Sequence, residues 1–579
     1  GDDIRIATDP GPNPKSAGEG LGVGGWGSDE GSGVRDQGSE NDARSATPTG
    51  PNPKSPIPNP QSAGEGWGVG GWGAGDDSRI AIDDVSNPKS KIQNPKSEER
   101  LRAIGRAAMA RLLDGGPAAA TAELAGAGVP PAASAPLLQW LQGLARDLAQ
   151  DAEPRAIVAA LDAGYVPPSP GADVVRNPAV VPTGRNIHAL DPYSVPTAIA
   201  WEAARHTATA LLDRYRQEQG TWPRAVALVL WGTDNLKTGG EGIAQALWLL
   251  GAAPTRDALG RVAGVRLLPL ATLGRPRIDV VLTCSGIFRD LLPNQLTLLD
   301  AAVRLAAAAD EPEADNFVRR NVRAAQAAGL APDAAATRVF SNAPGAYGAN
   351  INFQVETGVW DDAGMLAATF LARKSFAYGR GVEGQAAEAL LAQALRPVDL
   401  AFQNIDSIET GISDIDHYFE YLGGVSQAVE QLTGAPPAGY VLDVQGFGSR
   451  LRRLDEMVAI ESRTKLLNPR WSEGMLRFGY EGVREIGVRV ANTLGWSATT
   501  AAVPGWVYDG IADAYVLDAA RRAQMADLNP QAYQALVGRL LEAEGRGFWV
   551  PAPGVSATLH EAYGAAEDLV EQVPAIQAT

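Results

Sequence analysis

Two continuous apolar runs constrain the fold of this chain more than any other feature of its sequence. AVALVLW covers residues 225–231 and IDVVLTC covers residues 278–284. An uninterrupted apolar run is typical of a strand that is buried on both faces of a parallel sheet. Each run leads into a turn of small and polar residues, and helical segments alternate with the strands. The sequence therefore predicts an α/β fold built on a parallel sheet.

Helical segments surround the predicted strands. Apolar spacing predicts helices at 201–218 and 241–251, and an Ala/Leu/Arg-rich helical region at 98–163. Residues 164–198 hold seven prolines and no periodicity. Such a long irregular stretch within a compact protein is usually functional. We therefore expect a parallel-sheet α/β region at 164–579 with substantial additional helical regions.

The first 97 residues differ from everything that follows. SAGEGLGVGGWG at 16–27 recurs as SAGEGWGVGGWG at 62–73, within an array rich in Gly, Pro, Ser and Asn. The array has few apolar side chains, so burial cannot offset the entropy that is lost on ordering it. A solenoid is the alternative, but solenoid repeats carry a buried apolar stripe that these repeats lack. Residues 1–97 are predicted to be a disordered repeat segment, and we assign them no function.

Charge and composition argue against several classes of function. The net charge of −17 disfavours binding to nucleic acid or to an anionic membrane surface. No apolar run approaches the roughly 18 residues of a membrane-spanning helix, and the chain does not open on a signal-peptide pattern. The single cysteine, Cys284, excludes an internal disulfide framework and any multi-cysteine metal site. We expect a cytoplasmic protein without an integral membrane segment.

The sequence also constrains the cofactors. Four histidines and one cysteine argue against a permanent transition-metal cofactor. Transient handling of Mg²⁺ stays open, because carboxylates and water bind that ion. The chain has no G-x-x-x-x-G-K-[ST] motif, so a reaction that consumes ATP through a P-loop would depend on a partner protein.

The polar turns after the two apolar runs are the first candidate sites. WGTDNLKTGGEG (231–242) presents Asp234 where a strand gives way to a helix, and open α/β sheets bind ligands at that edge. The alternative is a capping turn with Asp234 or Thr238 as the cap. CSGIFRD (284–290) repeats the arrangement, and its Arg289 could hold a carboxylate through paired hydrogen bonds. Arg289 could equally pair with a neighbouring residue.

Two downstream segments are polar enough to contact a ligand. RVFSNAPGAYGANIN (338–352) is rich in Asn, Gly and Ser, and forms either a surface turn or a ligand loop. FQNIDSIETGISDIDHYFEY (402–421) gathers several carboxylates around His417. Carboxylates beside a histidine suit a proton-accepting site that handles a hard cation. The alternative is a solvated acidic loop with a histidine that is only a packed or surface residue.

Seven segments between residues 182 and 503 resemble one protein family. In chain order they are PTGRNIHALDPYSVP, WGTDNLKTGGE, LGRPRIDVVLTCSGIFRD, RVFSNAPGAYGANIN, FQNIDS, TKLLNPRWSEGMLRFGYEG and GWSATTAAV. Together they are similar to the magnesium chelatase H subunit, within the wider family that includes the large subunit of aerobic cobaltochelatase. The resemblance covers about residues 150–570 and corresponds to the C-terminal half of the family's chain. On this resemblance, we expect the N-terminal half of the family to be missing from this sequence, with the repeats in its place.

The resemblance implies an enzyme that inserts Mg²⁺ into protoporphyrin IX, with ATP, in the synthesis of chlorophyll and bacteriochlorophyll. Mg²⁺ is then a substrate, and no permanent cofactor is expected. The implied partners are an AAA+ ATPase subunit that hydrolyses the ATP, an integrin-domain AAA+-like subunit, and a separate polypeptide that carries the missing half. Two alternatives stay open. One is a cobaltochelatase subunit that acts on a corrin precursor, and the other is a porphyrin-binding module without catalysis.

The same resemblance implies roles for individual residues. Asp414 and His417 are expected to accept protons or to hold Mg²⁺ transiently, with Asp406 in support. The residues expected to contact the porphyrin lie in the other motifs: His188, Asp191, Asp234, Arg289, Asn342, Tyr347 and Asn350.

Overall fold

The structure is a computed structural model that describes the two-residue strand Ile4–Arg5 and residues 95–170, 174, 178–188, 191–405, 410–444 and 450–572. Apart from that strand, the repeat segment up to residue 94 lies outside the described residues. Asp406 and the side chain of His188 also lie outside them. The chain divides into two compact units, which the described residues represent by 95–138 and by 139–572 with Ile4–Arg5.

The smaller unit is helical. Its helix Pro95–Gly126 is interrupted at Gly116, where φ is 75°. Glycine adopts this left-handed angle without a steric penalty, and the following Pro117 cannot donate a hydrogen bond to the preceding turn. The next helix, Pro131–Leu148, begins in this unit.

Eight strands form the central sheet of the larger unit. In chain order they are β1 (Ala225–Leu230), β2 (Asp279–Cys284), β3 (Val339–Ser341), β4 (Phe376–Gly379), β5 (Val382–Ala386), β6 (Val398–Ile405), β7 (Ala438–Asp443) and β8 (Arg450–Arg453). Their order across the sheet is β5-β4-β3-β2-β1-β6-β7-β8. The five neighbouring strands β3, β2, β1, β6 and β7 are parallel. Toward the edges, β4 pairs antiparallel with β3, β5 with β4, and β8 with β7. The predicted α/β fold with a parallel sheet is therefore confirmed.

The two apolar runs are the adjacent strands β1 and β2. Every residue of both strands is buried. Successive side chains of a strand point to opposite faces, and in β1 they enter two different cores. Ala227 and Val229 belong to one core, and Val226 and Leu228 belong to the other. Both faces of the sheet are therefore covered, which explains why the runs are continuously apolar.

Helices build the two cores. The core that contains Val226 is covered by Ala198–Gln219, Glu241–Leu250, Gly286–Leu291, Pro293–Ala308 and Phe317–Ala327. The core that contains Ala227 draws on Ile351–Thr357, Ala363–Lys374, Glu388–Leu395, Gly424–Thr433, Leu454–Glu461, Pro469–Leu476, Tyr480–Thr499, Gly505–Ala512, Ala519–Leu528, Pro530–Gly545 and Val555–Gln572.

Shorter elements connect these layers. The remaining α-helices are Glu153–Leu161, Gly232–Thr238, Leu270–Leu273, Pro332–Ala335 and Asp416–Tyr418. The 3₁₀ turns are Pro178–Val180 and Pro192–Ser194. The small sheets pair Ala252–Arg256 with Val262–Leu267 and Pro168–Pro170 with Asn186–His188. Across the part of the chain that is described, no helix is both long and apolar enough to cross a membrane.

One buried helix changes its pitch in the middle. Asp416–Tyr418 continues into the π-helical segment Phe419–Gly423 and then into Gly424–Thr433. Every residue from Tyr418 to Val429 is buried. A π-turn holds one residue more than an α-turn and is frequent at functional sites.

Candidate functional site

Three strand ends meet at one cleft. Trp231 follows the end of β1, Ser285 follows the end of β2, and Asn404 lies near the end of β6. All three line a cleft of about 400 Å³. The chain leaves β1 toward β2 and β3 and returns on the other side as β6, so the order of the strands reverses at β1. The cleft therefore lies at the carboxyl edge and the switch point, where open α/β sheets bind ligands.

Two turns at this edge are locked together. Ser285 Oγ accepts hydrogen bonds from the backbone N–H groups of Gly232, at 3.2 Å, and Phe288, at 3.1 Å. A side chain at position 232 would bring its Cβ to 2.7 Å from the Phe288 nitrogen. Glycine is thus required where the motifs WGTDNLKTGGEG and CSGIFRD approach each other.

The walls of the cleft are aromatic. The ring of Trp231 lies with its centroid 5.7 Å from that of Tyr418 and 4.6 Å from that of Tyr421. The rim adds three apolar side chains that are each about half exposed: Ile287, Tyr347 and Phe353. Isolated exposed apolar side chains are ordinary, but a cluster around a concave site marks a binding surface. Its aromatic and apolar lining suits a largely apolar ligand.

Several polar atoms of the lining are buried without a hydrogen-bond partner among the described residues. They are the amide oxygens of Asn404 and Asn352 and the indole N–H of Trp231. A buried polar group without a partner costs about 1–3 kcal/mol. A ligand that carries both N–H donors and acceptors would relieve this cost.

His417 is the ionisable group at the mouth of the cleft. Its side chain is 54% exposed, and its Nδ1 lies 2.6 Å from Oε2 of Glu420, whose side chain is 1% exposed. Oε1 of Glu420 accepts the backbone N–H of Asn350 at 2.5 Å. The hydrogen bond to Glu420 raises the pKa of His417. A histidine supported by a buried carboxylate is an arrangement that accepts protons.

Lys374 is buried directly behind this site. Its Nζ donates to the carbonyl of Cys284 at 2.6 Å and to the Asn342 amide oxygen at 2.9 Å. It also lies 4.2 Å from the centre of the Tyr421 ring. Both hydrogen-bond acceptors are neutral, and burial lowers the pKa of Lys374 to about 7.

Asp414 has different surroundings, although it is close to His417 in sequence. Oδ2 of Asp414 accepts the backbone N–H of Gly411 at 2.6 Å and pairs with Lys465. Oδ1 lies 2.8 Å from Nε of Arg489, a close ion pair without hydrogen-bond geometry. Asp414 lines a second cleft of about 430 Å³, which shares only Asn352 with the first.

Four of the residues predicted from the sequence come together in the first cleft. They are Asp234, Tyr347, Asn350 and His417. Tyr347 donates its hydroxyl to Asp290 at 2.6 Å. For the motif WGTDNLKTGGEG, the alternative was a capping turn with Asp234 or Thr238 as the cap. Thr238 makes such a contact, because its hydroxyl accepts the backbone N–H of Glu241.

The other predicted residues lie elsewhere. Arg289 binds Asp290 through two nitrogens, at 2.7 and 2.9 Å, and the carbonyl groups of Ala343 and Ala346. Asn342 joins Lys374 to this loop, and Asp191 caps the turn Pro192–Ser194 through the backbone N–H of Tyr193. Through these contacts, each of the three side chains stabilises a loop or a turn. Their predicted roles in binding a porphyrin stay predictions.

The structure adds residues that the sequence analysis did not single out as ligand contacts. The cleft is lined by Trp231, Asn404, Tyr418, Glu420 and Tyr421, and Lys374 lies behind it. Glu420 belongs to the acidic segment and follows His417 by three residues. Side chains at that spacing are neighbours on a helix, so a predicted helix there would have indicated the pairing of Glu420 with His417. The burial of Asn404 and Lys374 has no signal in the local sequence.

Within the described ranges, no group of three or more His, Cys, Asp and Glu side chains is arranged to hold a metal ion. Burial raises the pKa of the Cys284 thiol to about 12, so this cysteine is a packed side chain of the sheet. The first cleft therefore combines an aromatic lining, buried polar atoms without a partner among the described residues, and an imidazole at its mouth.

Comparison with known proteins matches most of this chain to one family. A family model described as CobN/Magnesium Chelatase matches residues 73–555. The H subunit of magnesium chelatase from Cereibacter sphaeroides is 46% identical over 433 residues, which are 74% of this chain and 36% of that protein. The aerobic cobaltochelatase subunit CobN of a Sinorhizobium species is 40% identical over 411 residues, which are 69% of this chain and 32% of that protein.

A solved structure shares the fold. The catalytic subunit of cobaltochelatase from Mycobacterium tuberculosis matches with a TM-score of 0.73 and 37% sequence identity. The match covers 83% of this chain and 41% of that one. The chain spans about a third of the length of the curated relatives that it matches.

Proposed function

Because this chain belongs to the CobN/magnesium chelatase family, we propose that it forms the C-terminal half of the porphyrin-binding subunit of magnesium chelatase. The resemblance carried by the seven motifs is thereby confirmed at the level of the family. The proposed reaction is the ATP-dependent insertion of Mg²⁺ into protoporphyrin IX, in the synthesis of chlorophyll or bacteriochlorophyll. The proposed partners are an AAA+ ATPase subunit, an integrin-domain subunit, and a polypeptide that supplies the rest of the large subunit.

One observation carries the proposal for this chain's own residues: the first cleft combines aromatic walls with unpartnered polar atoms and His417. A porphyrin is flat and apolar, and its centre presents two N–H donors and two nitrogen acceptors. Insertion of a divalent cation removes both N–H protons, so the site needs a group that accepts them. Mg²⁺ also dehydrates reluctantly, so ATP-driven closure by the partner subunits is expected to assist its transfer.

His417 is assigned the role of proton acceptor. Trp231, Tyr418 and Tyr421 are assigned to the faces of the macrocycle, and Asn404 is assigned to its polar centre. Asp414 and Asp406 stay predictions from the sequence. A cytoplasmic location also stays a prediction.

Magnesium is favoured over cobalt by the relatives. The two proteins named above are 46% identical to this chain on the magnesium side and 40% identical on the cobalt side. The match in fold is to a cobaltochelatase subunit, which keeps cobalt insertion into a corrin precursor as the second candidate. Competition between the two metals and the two macrocycles in the assembled enzyme decides between them.

The test is a protoporphyrin IX titration of the purified chain, followed by the quenching of tryptophan fluorescence. Saturable binding with one porphyrin per chain is expected. Trp231→Phe should remove a large part of the quenching, whereas Trp222→Phe should not, because Trp222 stacks on Arg216 and does not line the cleft. Linear, non-saturating quenching that is unchanged in Trp231→Phe would contradict the proposal.

A further inference from the structure

The two oxygens of the Glu420 carboxylate are held by two different donors. Oε1 accepts the backbone N–H of Asn350 at 2.5 Å, and Oε2 faces Nδ1 of His417 at 2.6 Å. A backbone N–H can only donate, so the orientation of the carboxylate is fixed by the main chain at Asn350. The side chain is almost completely buried, so water does not compete for these contacts.

This geometry determines which nitrogen of His417 carries the proton. In a hydrogen bond between a carboxylate and an imidazole, the ring N–H donates and the carboxylate oxygen accepts. The proton between Oε2 and Nδ1 therefore resides on the nitrogen, and Glu420 accepts it as a carboxylate. In the neutral imidazole, Nε2 is then left with a free lone pair.

We propose that Glu420 is the positioning residue that holds His417 in its Nδ1–H tautomer, so that Nε2 can accept a proton from a pyrrole N–H. The inference rests on the proposed function and identifies the residue that orients its proton acceptor. In the step, the pyrrole N–H bond breaks and its electron pair stays on the pyrrole nitrogen. A bond forms between that proton and Nε2, and the resulting imidazolium is stabilised by the Glu420 carboxylate.

The loop that holds Glu420 is built around this contact. Gly348 has a φ of +67°, and a Cβ there would lie 3.0 Å from Oε1 of Glu420. Asn350 itself adopts a φ of +64°, which is rare for a residue with a side chain. Left-handed backbone at two positions within three residues brings the Asn350 N–H onto the buried carboxylate.

Glu420→Gln tests the tautomer because a glutamine cannot make both contacts in the same way. Its single oxygen must face the Asn350 N–H, since an amide NH₂ there would meet another donor. Its NH₂ group then faces Nδ1 of His417, and Nδ1 must accept. The variant should therefore convert His417 to the Nε2–H tautomer while it preserves the shape of the site.

The measurement is a two-bond proton–nitrogen NMR spectrum of the full chain labelled with ¹⁵N-histidine, recorded at the alkaline end of a titration. The signals of His417 are assigned by their loss in His417→Gln. The wild-type chain should show a protonated Nδ1 and an unprotonated Nε2, and Glu420→Gln should show the reverse. In the assembled chelatase, Glu420→Gln should lower kcat by about 100-fold, the lower end of general-base effects, with the KM for porphyrin unchanged.

Glu461→Gln is the matched control. Glu461 is also buried, and it accepts the backbone N–H groups of Ile412 at 2.7 Å and Ser413 at 2.9 Å without touching a histidine. This variant should keep the wild-type tautomer of His417.

The possible outcomes distinguish a failure of the role of Glu420 from a failure of the proposed function. An Nε2–H tautomer in the wild-type chain, with porphyrin binding intact, overturns the role of Glu420 alone, whether or not the variant folds. The same holds if Glu420→Gln keeps the wild-type tautomer and rate. Absence of saturable porphyrin binding by the wild-type chain overturns the proposed function and the role of Glu420 together.

Discussion

Asp414 and Glu420 are buried carboxylates from the same acidic segment, and the fold uses them in opposite ways. Asp414 lies between two cations, Lys465 and Arg489. Glu420 faces one titratable group, His417, and one backbone N–H. The charge of Asp414 is balanced by two neighbouring cations. Glu420 faces a half-exposed imidazole instead, as the role proposed for it requires.

The two nearby lysines differ in the same way. Lys465 is partly exposed and pairs with the carboxylate of Asp414. Lys374 is fully buried, and both acceptors of its hydrogen bonds are neutral. The region around Asp414 therefore balances its charges internally, and the region around Glu420 leaves groups whose protonation can change. The candidate site is therefore distinguished by groups whose charge is not balanced by a fixed ion pair, and not by the density of acidic residues.

The largest expected effect is the loss of the proposed proton acceptor. His417→Gln should lower the chelation rate of the assembled enzyme by about 10²- to 10⁴-fold, the usual contribution of a general base. The rate is measured by the appearance of metalloporphyrin at saturating porphyrin. His560→Gln is the control, since His560 is exposed on the helix Val555–Gln572. Wild-type rates in His417→Gln would remove the distinction between the two regions.

The second effect should appear in stability. Asp414→Asn leaves Lys465 and Arg489 without their carboxylate. Breaking a buried ion pair costs about 3–5 kcal/mol, and the partial exposure of both cations reduces this to about 2–4 kcal/mol. The measurement is the shift of the urea unfolding midpoint, with Asp416→Asn as the more exposed control. If Asp414→Asn is fully stable but loses chelation, Asp414 belongs to the reaction, as the sequence predicts.

The smallest effect near neutral pH is a change in pH dependence at Lys374. Because burial lowers its pKa to about 7, the folded chain releases this proton while the unfolded chain still holds it. The free energy of unfolding therefore rises with pH above about 7, by up to about 1.4 kcal/mol per unit. Below that pH, the penalty for burying the charge is constant.

Lys374→Met removes this contribution. The wild-type chain should gain stability relative to the variant as the pH rises above neutrality, as measured by urea unfolding at a series of pH values. A difference that does not depend on pH would mean that Lys374 is not charged differently in the folded and unfolded chains.

Residues with strong local patterns could be predicted from the sequence. β1 and β2 were visible as continuous apolar runs because both of their faces are buried. The position of the cleft followed from the polar turns at their ends. β6 was not predicted, since Gln403 and Asn404 interrupt its apolar pattern although both are buried.

The partners within the site could not be predicted, because they are distant in sequence. The Asn350 N–H meets a carboxylate 70 residues away, and Asn352 binds Asp416 over 64 residues, at 2.6 Å. Local patterns identify which segments are polar, but they do not show which carboxylate meets a cation and which meets a histidine. That assignment is made by the packing of helices on the sheet.

The π-turn at Phe419–Gly423 has a consequence for how this site can vary. An extra residue in one turn shifts the phase of the whole helix that follows it, so the rotation of Gly424–Thr433 depends on the number of residues before it. Loss of one residue in that turn would restore an ordinary α-helix and rotate one side of it against the other by about 100°. Glu420 and Val425 could not then both keep their present neighbours. The segment should therefore accept substitutions more readily than any change in length.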